Sequence, residues 1–123
     1  MSVTEITRFD GVRVPAADCR PVWLNALADD VTLEGSAMNG VAHGAEAVRS
    51  IVTYIRTLYD SQDFDFAGPY GENGFIEDYT AHVRGEQLGN VVLVTRNDAG
   101  QAQHIVANYR PADHTAARLP ARR

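Results

Sequence analysis

The feature that most constrains this chain is a change of hydrophobic period near residue 63. Before it, Val48, Ile51, Val52, Ile55, Leu58 and Tyr59 recur at three- and four-residue spacing, which places them on one stripe of a helix from about Gly44 to Tyr59. Arg49, Ser50, Thr53, Arg56 and Thr57 fall mainly on the opposite side. After it, short alternating runs read as strands at about Asp63–Tyr70, Phe75–Arg84, Asn90–Asn97 and Gln103–Arg110. Turn residues separate them: Gly-Glu-Asn-Gly at 71–74, the span from Gly85 to Gly89, and Asn-Asp-Ala-Gly at 97–100.

Upstream of the long helix the pattern is weaker. Val3 to Val14 alternates loosely and suits an edge strand or an arm. Asp18 offers a helix N-cap with Pro21 in the first turn, and Val22, Trp23, Ala26 and Leu27 give a short helix an apolar stripe ending at Asp29-Asp30. The run from Val31 to Gly35 reads as a strand and Met38-Asn-Gly as a turn. Helix, strand, long helix and four meandering strands make an α+β order. A curved, mainly antiparallel sheet wrapped on the long helix satisfies it as a cone-shaped roll with one open end.

Composition sets the outer limits. The 123 residues, 45% hydrophobic and 22% charged, suffice for one domain with a core of its own; residues 111–123 are polar or small and read as a loose tail. A formal charge of −5 argues against a surface that tracks nucleic-acid phosphates. The longest aliphatic run, Val91 to Val94, falls far short of the ~20 residues of a membrane span. The first residues lack the basic and apolar regions of a secretion signal, so a cytoplasmic protein is expected. Cys19 is the only cysteine and is expected to pack rather than react. His43, His82, His104 and His114 form no metal-ligand grouping, so neither a metal nor another cofactor is expected.

Three segments carry a family resemblance. They are the run LADDVTLEG from Leu27 to Gly35, GAEAVR from Gly44 to Arg49 opening the long helix, and the last hairpin with Asn97-Asp-Ala-Gly-Gln followed by His104 to Tyr109. In order and spacing they resemble the nuclear transport factor 2-like superfamily, SnoaL-like domains among them, with ketosteroid isomerases and limonene epoxide hydrolases as relatives. The resemblance spans about residues 20 to 110 and implies the cone-shaped α+β fold with a pocket in its mouth.

The resemblance also tests known chemistries residue by residue. The ketosteroid-isomerase base matches Gly35 and its proton-donating acid matches Val92, so that set is not preserved. Of the epoxide-hydrolase set, the arginine matches Phe75, one aspartate Glu77 and the other Asn108, so one carboxylate survives. Glu77 and Asn108 are therefore the candidate catalytic pair. Strand alternation puts Phe75, Tyr79 and Ala81 on the face of Glu77. A carboxylate in an apolar pocket would have its pKa raised toward acid–base duty, whereas a wet rim or an arginine partner would make it structural. Trp23, Gly35, Met38, Tyr54, Phe75, Tyr79, Val92, Val94 and Tyr109 are the expected pocket residues; for the aromatics, core packing is the competing role.

The functional expectation is a small-molecule pocket protein of the SnoaL-like kind. It is either a binder or a metal-free acid–base enzyme of isomerase, cyclase or hydratase type, acting on a hydrophobic, oxygen-bearing ligand. The alternative is a non-catalytic homodimeric interaction module. Homodimerisation is expected through the outer sheet face, where Thr80, His82, Val91, Leu93, Thr95 and Val106 mix aliphatic and polar groups.

Overall fold

The computed structural model describes residues 12–15, 21–36 and 38–111. The expectations placed on residues 3–11, on Asp18 and Cys19, and on the tail from residue 112 lie outside them. Among these residues seven strands, β1 (Val12–Pro15), β2 (Leu27–Gly35), β3 (Ala42–His43), β4 (Ser61–Tyr70), β5 (Gly74–Val83), β6 (Glu86–Arg96) and β7 (Ala102–Pro111), accompany one α-helix, α1 (Ala45–Thr57). They form a single sheet in the order β1-β4-β5-β6-β7-β2-β3, so the α+β roll is what the chain adopts. One pair departs from the expected antiparallel pattern: β2 runs parallel to β7, with Leu33 opposite Ile105.

The first helix of the sequence reading is reduced to a 3-10 turn, Val22–Asn25, with no side-chain cap at Pro21. Asp29 and Asp30 do not end a helix; they stand exposed inside β2, which begins four residues earlier than expected. The Trp23–Leu27 apolar run is used to seat that turn in the core, where Trp23, Leu24 and Leu27 are buried. The expected turn over Gly85–Gly89 is also shorter. Arg84 and Gly85 both take positive φ, 52° and 82°, the two-residue geometry whose twist matches a β-hairpin, and Val83 pairs directly with Glu86. The Arg84 backbone N–H is fixed by the Asp60 carboxylate at 2.9 Å.

Curvature comes from irregularities in the ladder. β4 carries a register shift between Phe64 and Phe66, which leaves Asp65 exposed and bends the strand. At the other end, Asn97 Oδ1 accepts from the Ala99 and Gln101 backbone N–H groups, both at 3.0 Å, and holds the β6–β7 turn. The core fills the concave side. Val48 and Val52 of α1 share one buried cluster with Val31, Leu33, Tyr79, Val92 and Ile105 of the sheet, and each aliphatic side chain among them contributes about 1.5–3 kcal/mol on burial.

Candidate functional site

Helix α1 delivers the least expected member of the site. Val48, Val52 and Arg56 are its buried residues; they follow one another at four-residue spacing, so they share one line on the helix. Arg56 thus faces the concave sheet, against the sequence assignment to the outer side. Its guanidinium carbon lies 5.4 Å from the ring centres of both Tyr59 and Tyr79, a cation–π arrangement that suits a buried cation. Its Nη2 is 4.0 Å from Glu77 Oε1, a loose pairing. Burial works against the Arg56 charge, but Tyr79 and Glu77, then Tyr59 and Tyr109, outweigh it and hold the guanidinium protonated.

Glu77 stands where alternation put it. The buried residues Phe75, Glu77, Tyr79 and Ala81 share the inner face of β5, and Glu77 is flanked across the ladder by Ala67 and Val92. Burial drives its carboxyl above the ordinary carboxylate range, against the pull of Arg56 and then of the Trp23 indole N–H. That N–H acts on the carboxyl without completing a hydrogen bond, since Trp23 Nε1 and Glu77 Oε1 both lack a hydrogen-bond partner.

Three tyrosines from three elements meet beside this pair. Tyr59 Oη lies 3.0 Å from Tyr79 Oη and 2.5 Å from Tyr109 Oη, and Asn90 Nδ2 donates to Tyr79 Oη at 2.6 Å. With Asn90 donating, the chain in which each hydroxyl accepts once and donates once runs Asn90 to Tyr79 to Tyr59 to Tyr109. It leaves the Tyr109 proton at the free end. Burial pushes the Tyr59 and Tyr79 hydroxyls far above the ordinary tyrosine range, with Arg56 opposing.

The free end opens on a cavity. Tyr109, Arg56, Asn90 and Trp23 line it together with Leu33, Met38, Val52, Ile55, Val92, Ile105 and Ala107. A water-sized sphere has about 30 Å³ to move in, within about 410 Å³ of space between side chains that includes the open mouth. The tight part holds on the order of two waters. Glu77 does not line this cavity but meets Arg56 and Trp23, which do. A wider hollow of about 560 Å³ lies where Phe75, Val94 and Ala102 meet the 3-10 turn. Its acidic members, Glu72 and Asp98, are exposed, so it lacks the desolvated polar groups of the first.

The cone has the architecture of known proteins. An uncharacterised cystatin-like protein from Silicibacter pomeroyi has TM-score 0.66 at 19% identity, covering 82% of this chain and 77% of that one. A steroid delta-isomerase from Pseudomonas aeruginosa has TM-score 0.66 at 15% identity, covering 80% and 78%. The fold is the cystatin-like one that nuclear transport factor 2-like and SnoaL-like proteins share. A SnoaL-like family protein from Agrobacterium tumefaciens, with TM-score 0.56 at 15% identity, covers 77% of this chain and 83% of its own. At these identities the likeness concerns the fold alone. No family profile and no curated relative matches the sequence.

Within this fold the expected site residues divide. Trp23, Met38, Val92 and Tyr109 line the cavity, and Tyr79 is fully buried behind it. Phe75 and Val94 line the wider hollow instead. Tyr54 is 66% exposed on the far side of α1, because it sits two positions before Arg56 and off the buried line. Asn108 is exposed as well. It pairs with Val91, which itself faces Asp78 rather than Glu77, and alternation gives the inner place to its neighbour Tyr109. Asn108 therefore does not join Glu77. Gly35 packs its backbone against Ala107, where a Cβ would stand 1.8 Å from the carbonyl oxygen, so its lack of a side chain belongs to strand packing.

The histidines lie elsewhere. His82 Nε2 is 2.8 Å from Asp63 and His104 Nε2 is 3.0 Å from Glu34, on the outer side of the sheet. Among the described residues no three His, Cys, Asp or Glu side chains gather as a metal centre, and no helix is long and apolar enough to cross a membrane.

Proposed function

We propose that this chain is a small-molecule pocket protein that takes an apolar or amphipathic ligand bearing an oxygen function, oxygen end inward. One observation carries the reading: in a wall otherwise made of Leu33, Met38, Val52, Ile55, Val92 and Ile105, the Arg56 guanidinium and the Tyr109 hydroxyl present themselves together. Few convergent polar groups in an apolar cavity are the mark of a ligand site rather than of packing. The isomerase among the structural neighbours is consistent with this use of the cone. In the enzymatic form of the reading, Glu77, which stands behind Arg56 and Trp23 rather than in the cavity wall, is the group that holds or accepts a proton once the ligand's oxygen end reaches past them, and its raised affinity for protons suits that task. Screening the purified protein against ketones, lactones, alcohols and acids by thermal shift tests the reading. Ligands that raise the melting temperature should lose that effect in Tyr109→Phe. Turnover of any of them should vanish in Glu77→Gln with affinity nearly kept, while a set in which none shifts the transition would reject the pocket.

A second reading rests on a different surface. Ile76, Leu93 and Val106 lie opposite one another across β5, β6 and β7 on the outer face, and all three are partly exposed. Such a row suits a two-fold contact with a second copy. Sedimentation at micromolar concentration should show a dimer that Leu93→Glu dissociates; a monomer under both conditions would reject it.

A further inference from the structure

From the geometry of the cavity we infer that its ligand is an anion, a small carboxylate with a short apolar tail, held head-first by Arg56 and Tyr109. The inference rests on the pocket reading above and names the chemistry of what enters.

The polar groups in the lining are mostly donors. The Arg56 guanidinium carries only donor groups, the Trp23 indole N–H is a donor only, and Tyr109 ends the hydroxyl chain with its proton left to donate. Asn90 sits at the start of that chain and spends an amide N–H on Tyr79; its Oδ1, buried without a hydrogen-bond partner, is the exception, an acceptor among them. A wall in which donors outnumber that one acceptor, with a cation among them, is complementary to an acceptor that carries charge, and a carboxylate meets the planar guanidinium better than a neutral carbonyl does. Size agrees. Room for on the order of two waters admits two carboxylate oxygens at the inner end, and a chain of methylenes can then run along Leu33, Ile55 and Met38 toward the mouth.

Charge balance supplies the second half. The groups around Glu77 are Arg56 from α1, Trp23 from the 3-10 turn, and Tyr79 on its own strand with Tyr59 and Tyr109 beyond; its cross-strand neighbours Ala67 and Val92 carry no charge. At 4.0 Å the Arg56–Glu77 pairing is loose, and burial raises the carboxyl's affinity for a proton, which the Arg56 charge opposes. An entering carboxylate can therefore take over as the counter-charge of Arg56 while Glu77 takes up one proton from solvent. The anion brings one negative charge and the proton cancels the one on Glu77, so the buried cluster keeps the same net charge. Affinity should then rise as pH falls, for as long as the ligand stays ionised.

Hexanoate and hexanamide, which share a shape and differ in charge, test this by isothermal titration of the full chain between about pH 6 and 8.5, where the acid stays ionised. Hexanoate should bind at least about tenfold tighter than hexanamide at the acid end. That preference should shrink as pH rises in the wild type and stay flat in Glu77→Gln, where no proton need be taken up. In the double variant Arg56→Met with Glu77→Gln, which removes both charges of the pair together, the preference should disappear while hexanamide still binds. Equal binding of acid and amide in the wild type, or a preference with the same pH profile in wild type and Glu77→Gln, would overturn the anion inference and leave the pocket reading intact. Binding of neither compound, alongside the failed thermal-shift screen, would remove both.

Discussion

The two faces of the same sheet hold similar polar chemistry in very different surroundings. On the outside, His82–Asp63, His104–Glu34 and Arg110–Asp78 are polar pairs whose side chains are 20–44% exposed. On the inside, Arg56 and Glu77 are 5% and 9% exposed and stand among three tyrosines and an asparagine. An exposed pair exchanges water for a partner at little net gain, whereas a buried pair has given up solvation worth several kcal/mol per ion. A fold optimised for stability alone would do as well with apolar residues at 56 and 77. The inner cluster is thus the place where the chain carries a cost that function can explain.

The comparison can be broken first at Arg56. Arg56→Met should cost about 4 kcal/mol, because it leaves a buried carboxyl without its cation, and pairing it with Glu77→Gln should recover a large part. Urea denaturation of the two singles and the double closes that cycle; equal, small losses would place the cluster in solvent. Gly35→Ala should come next, at about 3 kcal/mol, since the new Cβ meets the Ala107 carbonyl and the residue has φ +154°. A stable Gly35→Ala protein with unshifted β2–β7 amide resonances would contradict the packing described for that pair.

Tyr79→Phe should cost about 2 kcal/mol, the expense of leaving the Asn90 donor and the Tyr59 acceptor without their partner. The same hydroxyls predict an alkaline limit. Tyr59 and Tyr79 keep their protons in the folded state above the ordinary tyrosine value of 10.0, where the unfolded chain releases them. Stability is therefore full below that value and falls as pH rises past it, which tyrosinate absorbance will show as titration coupled to unfolding. The smallest effect belongs outside: His104→Ala should change stability by less than about 1 kcal/mol, and a loss as large as that of Arg56→Met would erase the distinction between the faces.

Much of the fold was legible because both periods are long. The helix stripe and four alternating strands were placed within a few residues, and alternation correctly brought Glu77, Tyr79 and Val92 to one side. The site was half legible. Arg56 was missed because polarity outweighed position, although it continues the four-residue line of Val48 and Val52. Asn108 was favoured by resemblance over parity, and parity, which seats Tyr109 inside, was the better physical guide. The parallel β2–β7 pair carried no local signal, since contacts between segments some 70 residues apart are decided by the whole sheet.

Trp23 is the only tryptophan of the chain and lines the cavity, so its emission reports directly on entry. Titration with hexanoate should change the Trp23 emission saturably in the wild type and leave it unchanged in Ala107→Leu, which fills the same space. A change that never saturates, or one of equal size in both proteins, would contradict the claim that the concave face is a ligand site.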